Sequence, residues 1–161
     1  MILYHGSNIE VREPKIIQRR NRLDFGAGFY LTSDLDQAAR WAKLKTERTM
    51  TGIPMVSIFE TDTQKWQDLL IQQFHSPNKE WLRYITTFRK GEIISTQFDV
   101  IIGPVADDQT IDTLGIYFRG LISAEIAIQL LLPHKLKDQY CLKTQKAIDS
   151  IRFSGVKKWK K

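Results

Sequence analysis

The chain has 161 residues, 42% hydrophobic and 26% charged, which fits one domain with a core of its own and excludes disordered and collagen-like classes. A single cysteine, Cys141, excludes an internal disulfide and a multi-cysteine zinc site; with no signal-like leader in MILYHG, it implies a reducing, cytoplasmic setting. No apolar run approaches the roughly 18 residues of a membrane span, and a net charge of +6 admits nucleic acid or an acidic protein as partner without choosing between them.

In chain order, ILYH (2–5) is short and apolar and predicts a strand that delivers His5, Gly6 and Ser7 in a row. Residues 9–27 carry Pro14, many charges and Gly26, and read as a long loop of the kind that often serves function. GFYLT (28–32) is aromatic and β-branched, a second strand. Ser33 as N-cap, with Asp34 and Asp36 in the first turn, opens a helix to about residue 49; Leu35, Ala38, Ala39 and Ala42 share its apolar face. The Gly52-Ile53-Pro54 turn leads to a third strand, MVSIFE (55–60), and Trp66, Leu69 and Leu70 suggest a short helix.

Ser76-Pro77 predicts a helix start with Pro at the first helical position, followed by an apolar face of Trp81, Leu82, Ile85 and Phe88 and a stop at Gly91. FDVIIG (98–103) is almost continuously apolar, the mark of a central strand. Ser123 opens a helix with Ile126, Ala127, Leu130 and Leu131. QYCLK (139–143) is a last strand, and Thr144 caps a final helix through Ala147, Ile148 and Ile151. VKKWKK (156–161) reads as a basic tail in solvent. The sum, about five strands and five helices in mixed order, is an α+β domain over residues 1–155 with that tail attached.

Three stretches could carry chemistry. In His5-Gly6-Ser7, a glycine at a strand end lets the backbone approach a ligand, and its N–H and C=O suit a carboxamide. His5 can bond a ribose hydroxyl and Ser7 can add a contact. By itself the tripeptide also reads as a strand entering a turn, with His5 half-buried on a backbone partner. LDFGAGFYLTSD (23–34) fails as a kinase element, since no Gly-rich loop, strand lysine or HRD-type loop accompanies it. It fails as a dinucleotide fingerprint too: Leu31 holds the third glycine position, and a strand follows in place of a helix.

What remains for that stretch is a loop able to fold over a ligand, with Tyr30 offering a flat face for stacking. Because strand neighbours face opposite ways, one of Phe29 and Tyr30 belongs to the core. GPVADDQT (103–110) sets Asp107 and Asp108 on a loop at a sheet end, where they can orient a substrate or bind a cation, or form a solvated turn. Trp41, Trp66 and Trp81 read as core. His75 and His134 have no partner at metal spacing, so no metal site is expected.

LYHGSN, DFGAGFYLT, QAARWA, FDVIIGPVADD and QYCLKTQKAI, in that order across nearly the whole chain, resemble the ADP-ribosyltransferase superfamily. More narrowly, the chain is similar to a bacterial family of uncharacterised ADP-ribosyltransferase-like proteins. The resemblance implies a mixed β-sheet core with flanking helices and NAD as co-substrate. It makes His5, Tyr30 and Gln139 the catalytic positions. His5 would bind a ribose, Gly6 the nicotinamide amide with help from Ser7, and Tyr30 would stack on the nicotinamide. The loop carrying Arg22, Asp24 and Gly28 would border the cofactor. Arg19, Arg20 and Arg22 suit its pyrophosphate, or a solvated loop.

Gln139 stands where the superfamily often has a glutamate. Breaking the nicotinamide–ribose bond leaves positive charge on the sugar, which a carboxylate stabilises; an amide holds the hydroxyl but supplies no charge. Either Gln139 suffices, or another acid (Asp107, Asp108, Asp138 or Glu60) reaches the site, or the fold serves binding alone. The resemblance thus implies a mono-ADP-ribosyltransferase acting on a protein or nucleic acid, in a bacterial toxin–antitoxin or phage-defence setting. The alternative is a transferase-like module that binds nucleotide, nucleic acid or a partner protein without chemistry. An RNA phosphotransferase of the same broad fold ranks lower, because it requires more basic residues around the pocket than the sequence places there.

Overall fold

Two sheets joined across a shared apolar layer organise the chain. The computed structural model describes residues 1–18, 23–94, 97–107 and 110–159. Arg19, Arg20, Arg22, Asp108, Lys160 and Lys161 therefore lie outside the described residues. The elements run β1 (Ile2–Ser7), β2 (Phe29–Leu31), α1 (Leu35–Thr49), β3 (Met55–Thr61), α2 (Thr63–Gln67), β4 (Ile71–Gln73) and α3 (Lys79–Arg89). They continue with β5 (Val100–Pro104), α4 (Ile111–Phe118), α5 (Ala124–Leu131), a 3-10 turn (Leu132–His134), β6 (Asp138–Leu142), α6 (Gln145–Ile148) and β7 (Ile151–Lys158). One sheet has the order β1-β3-β7 and is antiparallel; the other is β2-β6-β5-β4, with the β4–β5 pair parallel. The protein is thus mixed α and β. No helix among the described residues is long and apolar enough to cross a membrane.

Leu3 and Phe59 from the first sheet pack with Phe29, Leu31, Ile102 and Leu142 from the second, forming the layer between them. The far face of the second sheet packs under α3, α4 and α5, where Phe25, Trp81, Leu82, Ile101, Leu114 and Cys141 are buried. β5, apolar throughout, is buried along its whole length between β4 and β6, as a continuous apolar run predicts.

Local sequence sets most helix ends. The α1 cap is Asp34, one residue later than expected; its carboxylate accepts from Gln37 N at 2.8 Å. α3 begins behind Asn78, whose side chain accepts from Trp81 N at 2.8 Å, so Pro77 precedes the helix and does not start it. Ser123 and Thr144 cap α5 and α6 as read. The small residues Ala38, Ala39 and Ala42 let α1 lie close on β1. The approach is so close that a methyl group on Gly6 would stand 2.0 Å from Ala38 O.

The C-terminal expectation is corrected. Residues 156–158 are not a solvated tail: Val156, Lys157 and Lys158 pair with Ser57, Val56 and Met55. Trp159 N then donates to Pro54 O at 2.8 Å, and its ring packs on the Ala38–Ala42 face. The final helix ends at Ile148, and Ile151 begins β7. The outer edge of β3 would otherwise carry unpaired main-chain groups, and β7 takes them up. The strand β4 and the helix α4 were not foreseen. Trp81 is core, its Nε1 donating to Pro104 O at 3.1 Å, whereas Trp41 and Trp66 are only half-buried.

Candidate functional site

The site begins where β1 and β2 part. Tyr4 and Thr32 exchange main-chain bonds of 2.8 and 3.0 Å, and the ladder between these strands stops there. Main-chain groups alternate sides along a strand. Those of Tyr4 turn toward β2, so those of Gly6, two residues on, do the same, while Leu3, His5 and Ser7 turn to β3. In a continued ladder Gly6 would meet Tyr30. Instead Tyr30 O takes the Nδ1–H of His5 at 2.7 Å. Gly6 makes no bridge to β2, so its N–H and C=O stand beyond the end of the ladder.

The same alternation sorts the side chains. Tyr30 pairs with Cys141, and Gln139 lies two residues from Cys141, so Tyr30 and Gln139 share a face with Thr32 and Gly6. His5 points to the other face, with Phe29. Of the three expected catalytic positions, the strands therefore bring two side chains to one face and send the third through the sheet.

His5 is 7% exposed and stacks on Phe29, ring centroids 4.4 Å apart. Burial lowers its pKa from 6.5 to about 4, against the raising effect of the bond to Tyr30 O. A carbonyl only accepts, so Nδ1 carries the hydrogen and Nε2 keeps a lone pair. Ser7 is buried, and its Oγ reaches Asn8 Oδ1 at 3.4 Å.

Tyr30 packs its ring against the helix-covered core and donates its hydroxyl to Gly26 O at 2.6 Å while accepting from Phe25 N at 3.1 Å. Burial holds that phenol well above the usual tyrosine range. Its hydroxyl is thus committed to the 23–28 loop, and the ring alone is left for a ligand. Gly28 is a packing glycine: a methyl there would stand 2.3 Å from Cys141 Sγ, and its N–H and C=O bond Ile17. Cys141 is sealed beneath it, its pKa raised by burial to about 11.

Asp24, expected to border the cofactor, is buried instead. Its Oδ1 accepts from Arg89 Nε at 3.0 Å and Nη2 at 2.6 Å; its Oδ2 accepts from Ala106 N at 3.0 Å and Gln139 Nε2 at 2.8 Å. Gln139 Nε2 also approaches Pro104 O at 3.4 Å. Lys143 Nζ donates to Phe25 O and Ala27 O, the second at 2.9 Å, and lies over the Phe88 ring. Burial lowers its pKa. Residues 23–28 are therefore pinned from β6, α3 and the loop after β5.

The alternative acids divide. Asp107 meets Arg40 at 3.7 Å across a groove of about 350 Å³, lined also by Asp34, Asp36, Gln37 and residues 134–137. Asp34 is tied there to Lys137 at 2.8 Å. Asp138 opens β6 on the face opposite Gln139, and burial raises its pKa. Glu60 pairs with Arg152 at 2.8 Å opposite Ile2, four residues along β3 from the position facing Gly6, roughly 13 Å away. Asp108 and Arg22 lie outside the described residues. Sequence reasoning missed Arg89 and Lys143. A basic residue in a last helical turn reads only as a complement to the helix dipole, and Lys143 follows a strand with no local signal.

Fold and site together define a two-sheet α+β protein whose first strand offers an unpaired glycine edge beside an aromatic face. A family model described as a protein of unknown function (DUF3990) matches residues 1–153, and the chain belongs to that family. No curated protein and no solved structure matches it.

Proposed function

We propose that the protein binds NAD and transfers its ADP-ribose to a macromolecule. The observation that supports this reading best is the Gly6 edge. One residue offers an N–H donor and a C=O acceptor side by side, the complement of a carboxamide, on the face where the Tyr30 ring lies. Through the sheet, on the opposite face, His5 is neutral and keeps a lone pair on Nε2. In the reaction, the bond from the ribose anomeric carbon to the pyridinium nitrogen breaks and its electron pair returns to the ring, releasing neutral nicotinamide. A lone pair on the acceptor makes the new bond to that carbon, and the acceptor's proton passes to solvent. The positive charge of the chain favours nucleic acid or an acidic protein as acceptor. A toxin restrained by an antitoxin, or a phage-defence factor, is the setting that suits this activity.

A second reading rests on the Gln139–Asp24 bond: with an amide on β6 in place of an acid, the site would bind nucleotide without turning it over. Calorimetry with NAD, together with an assay for released nicotinamide in the presence of cell lysate, separates the two. Binding with release and labelled acceptor supports the transferase. Binding without release supports the module. A folded chain that does neither removes NAD from consideration.

A further inference from the structure

β6 sets no carboxylate on the face it shares with the Gly6 edge, yet the amide that stands there is bonded to one. Gln139 Nε2 donates to Asp24 Oδ2 at 2.8 Å and more weakly to Pro104 O at 3.4 Å. A carboxylate and a carbonyl both accept, so the nitrogen must be the inner atom and the orientation of the amide is settled. The outer atom is Oε1. It has no partner among the described residues, and Gln139 as a whole is 4% exposed. Asp24 cannot turn away, because Arg89 and Ala106 N hold its other lone pairs.

We infer that Asp24 is a positioning residue: it orients and polarises Gln139, whose Oε1 the NAD reading sets against a sugar hydroxyl. The inference rests on the NAD reading and deepens it. An amide whose N–H is bonded to a carboxylate is polarised, and its oxygen becomes the richer in electron density. Arg89 offsets the formal charge of Asp24, so the effect at the sugar is orientation plus a strengthened dipole, weaker than a bare carboxylate. Among the described residues the competing acids stand elsewhere: Asp107 at Arg40, Glu60 at Arg152, and Asp138 on the other face of β6. Gln139 shares its face with the Gly6 edge and the Tyr30 ring, where the ribose attached to a docked nicotinamide would lie.

The test is an exchange of acid and amide. Asp24→Asn, Gln139→Glu and the double variant D24N/Q139E are compared with wild type for NAD affinity and for kcat and KM of nicotinamide release. Asp24→Asn removes the polarising partner, and Gln139→Glu sets two carboxylates against each other. In the double variant the new amide at 24 donates to the new carboxylate at 139, keeps its oxygen on Arg89 and gives up the bond from Ala106 N. Each single change is expected to lower kcat about tenfold with KM nearly constant, and the double variant to recover most of the loss. Should Asp24→Asn fail to fold, Gln139→Met takes its place; it keeps the volume and leaves Asp24 its three other bonds, and the same loss in kcat is expected. An active wild type whose kcat is untouched by Asp24→Asn or Gln139→Met overturns this inference alone. So does a folded double variant no better than the singles. Wild type that binds NAD but releases no nicotinamide also overturns it while sparing binding, and wild type that does not bind NAD overturns both.

Discussion

The Nδ1–H of His5 ends on the main-chain oxygen of Tyr30, 2.7 Å away, and so links the first sheet to the second by a side chain at the point where their ladder stops. This bond forms with the neutral ring, which has consequences for stability. Below pH 6.5 an unfolded chain takes a proton on this histidine, while the folded chain does not until about pH 4. The unfolded state binds more protons in that interval, so stability falls as pH drops through it and is level above it. The full loss is about 3 kcal/mol. Urea unfolding between pH 4.5 and 7.5 measures it, and His5→Phe should flatten the slope. An equal slope in that variant would place the effect in another group.

Gly6 is fixed by its neighbour before any ligand arrives. Gly6→Ala should cost at least about 2 kcal/mol, because the atom 2.0 Å from the new methyl is main-chain oxygen of α1 and cannot rotate away. Chemical denaturation reads this directly. A cost below about 0.5 kcal/mol would mean that α1 does not lie against β1 as described.

Tyr30→Phe separates the two ends of one side chain. Losing the bonds to Gly26 O and Phe25 N should lower stability by about 1–2 kcal/mol. The ring that would face nicotinamide remains, so NAD affinity should stay within about threefold of wild type, and Tyr30→Ala should lose it. If the phenylalanine variant binds NAD as poorly as the alanine variant, stacking is not what Tyr30 provides.

A chain ending at Gly155 tests the C-terminal strand. It removes the pairing of residues 156–158 with 55–57 and the packing of Trp159 on α1. Thermal unfolding should show a loss of about 2–3 kcal/mol. A change near zero would restore the picture of a basic tail in solvent.

The elements legible in the sequence are those whose burial is one-sided and regular. The alanine stripe of α1 and the Trp81–Phe88 face of α3 repeat at helical spacing, and β5 is apolar throughout. β7 escaped because it is an edge strand with Arg152, Ser154 and Lys157 exposed, and a register shift between Ile58 and Phe59 breaks its alternation. β4 is three residues long, too short for a period to show, and Gly115 interrupts the pattern of α4. At the site, the glycine edge and the aromatic face were visible in LYHGSN and GFYLT. The partner of Gln139 was not, since Asp24 is 115 positions away and the contact is made by tertiary folding alone.

Cys141, the single thiol of the chain, lies wholly enclosed beneath Gly28, with its pKa raised to about 11. A thiol-directed reagent can reach it only when β2 lifts from β6, and then only through the small thiolate fraction. The rate of labelling therefore reports the population of the open state, without any engineered probe. A compound seated across the neighbouring ring would slow that labelling in proportion to its occupancy, giving a readout of ligand engagement that requires no knowledge of what is modified downstream.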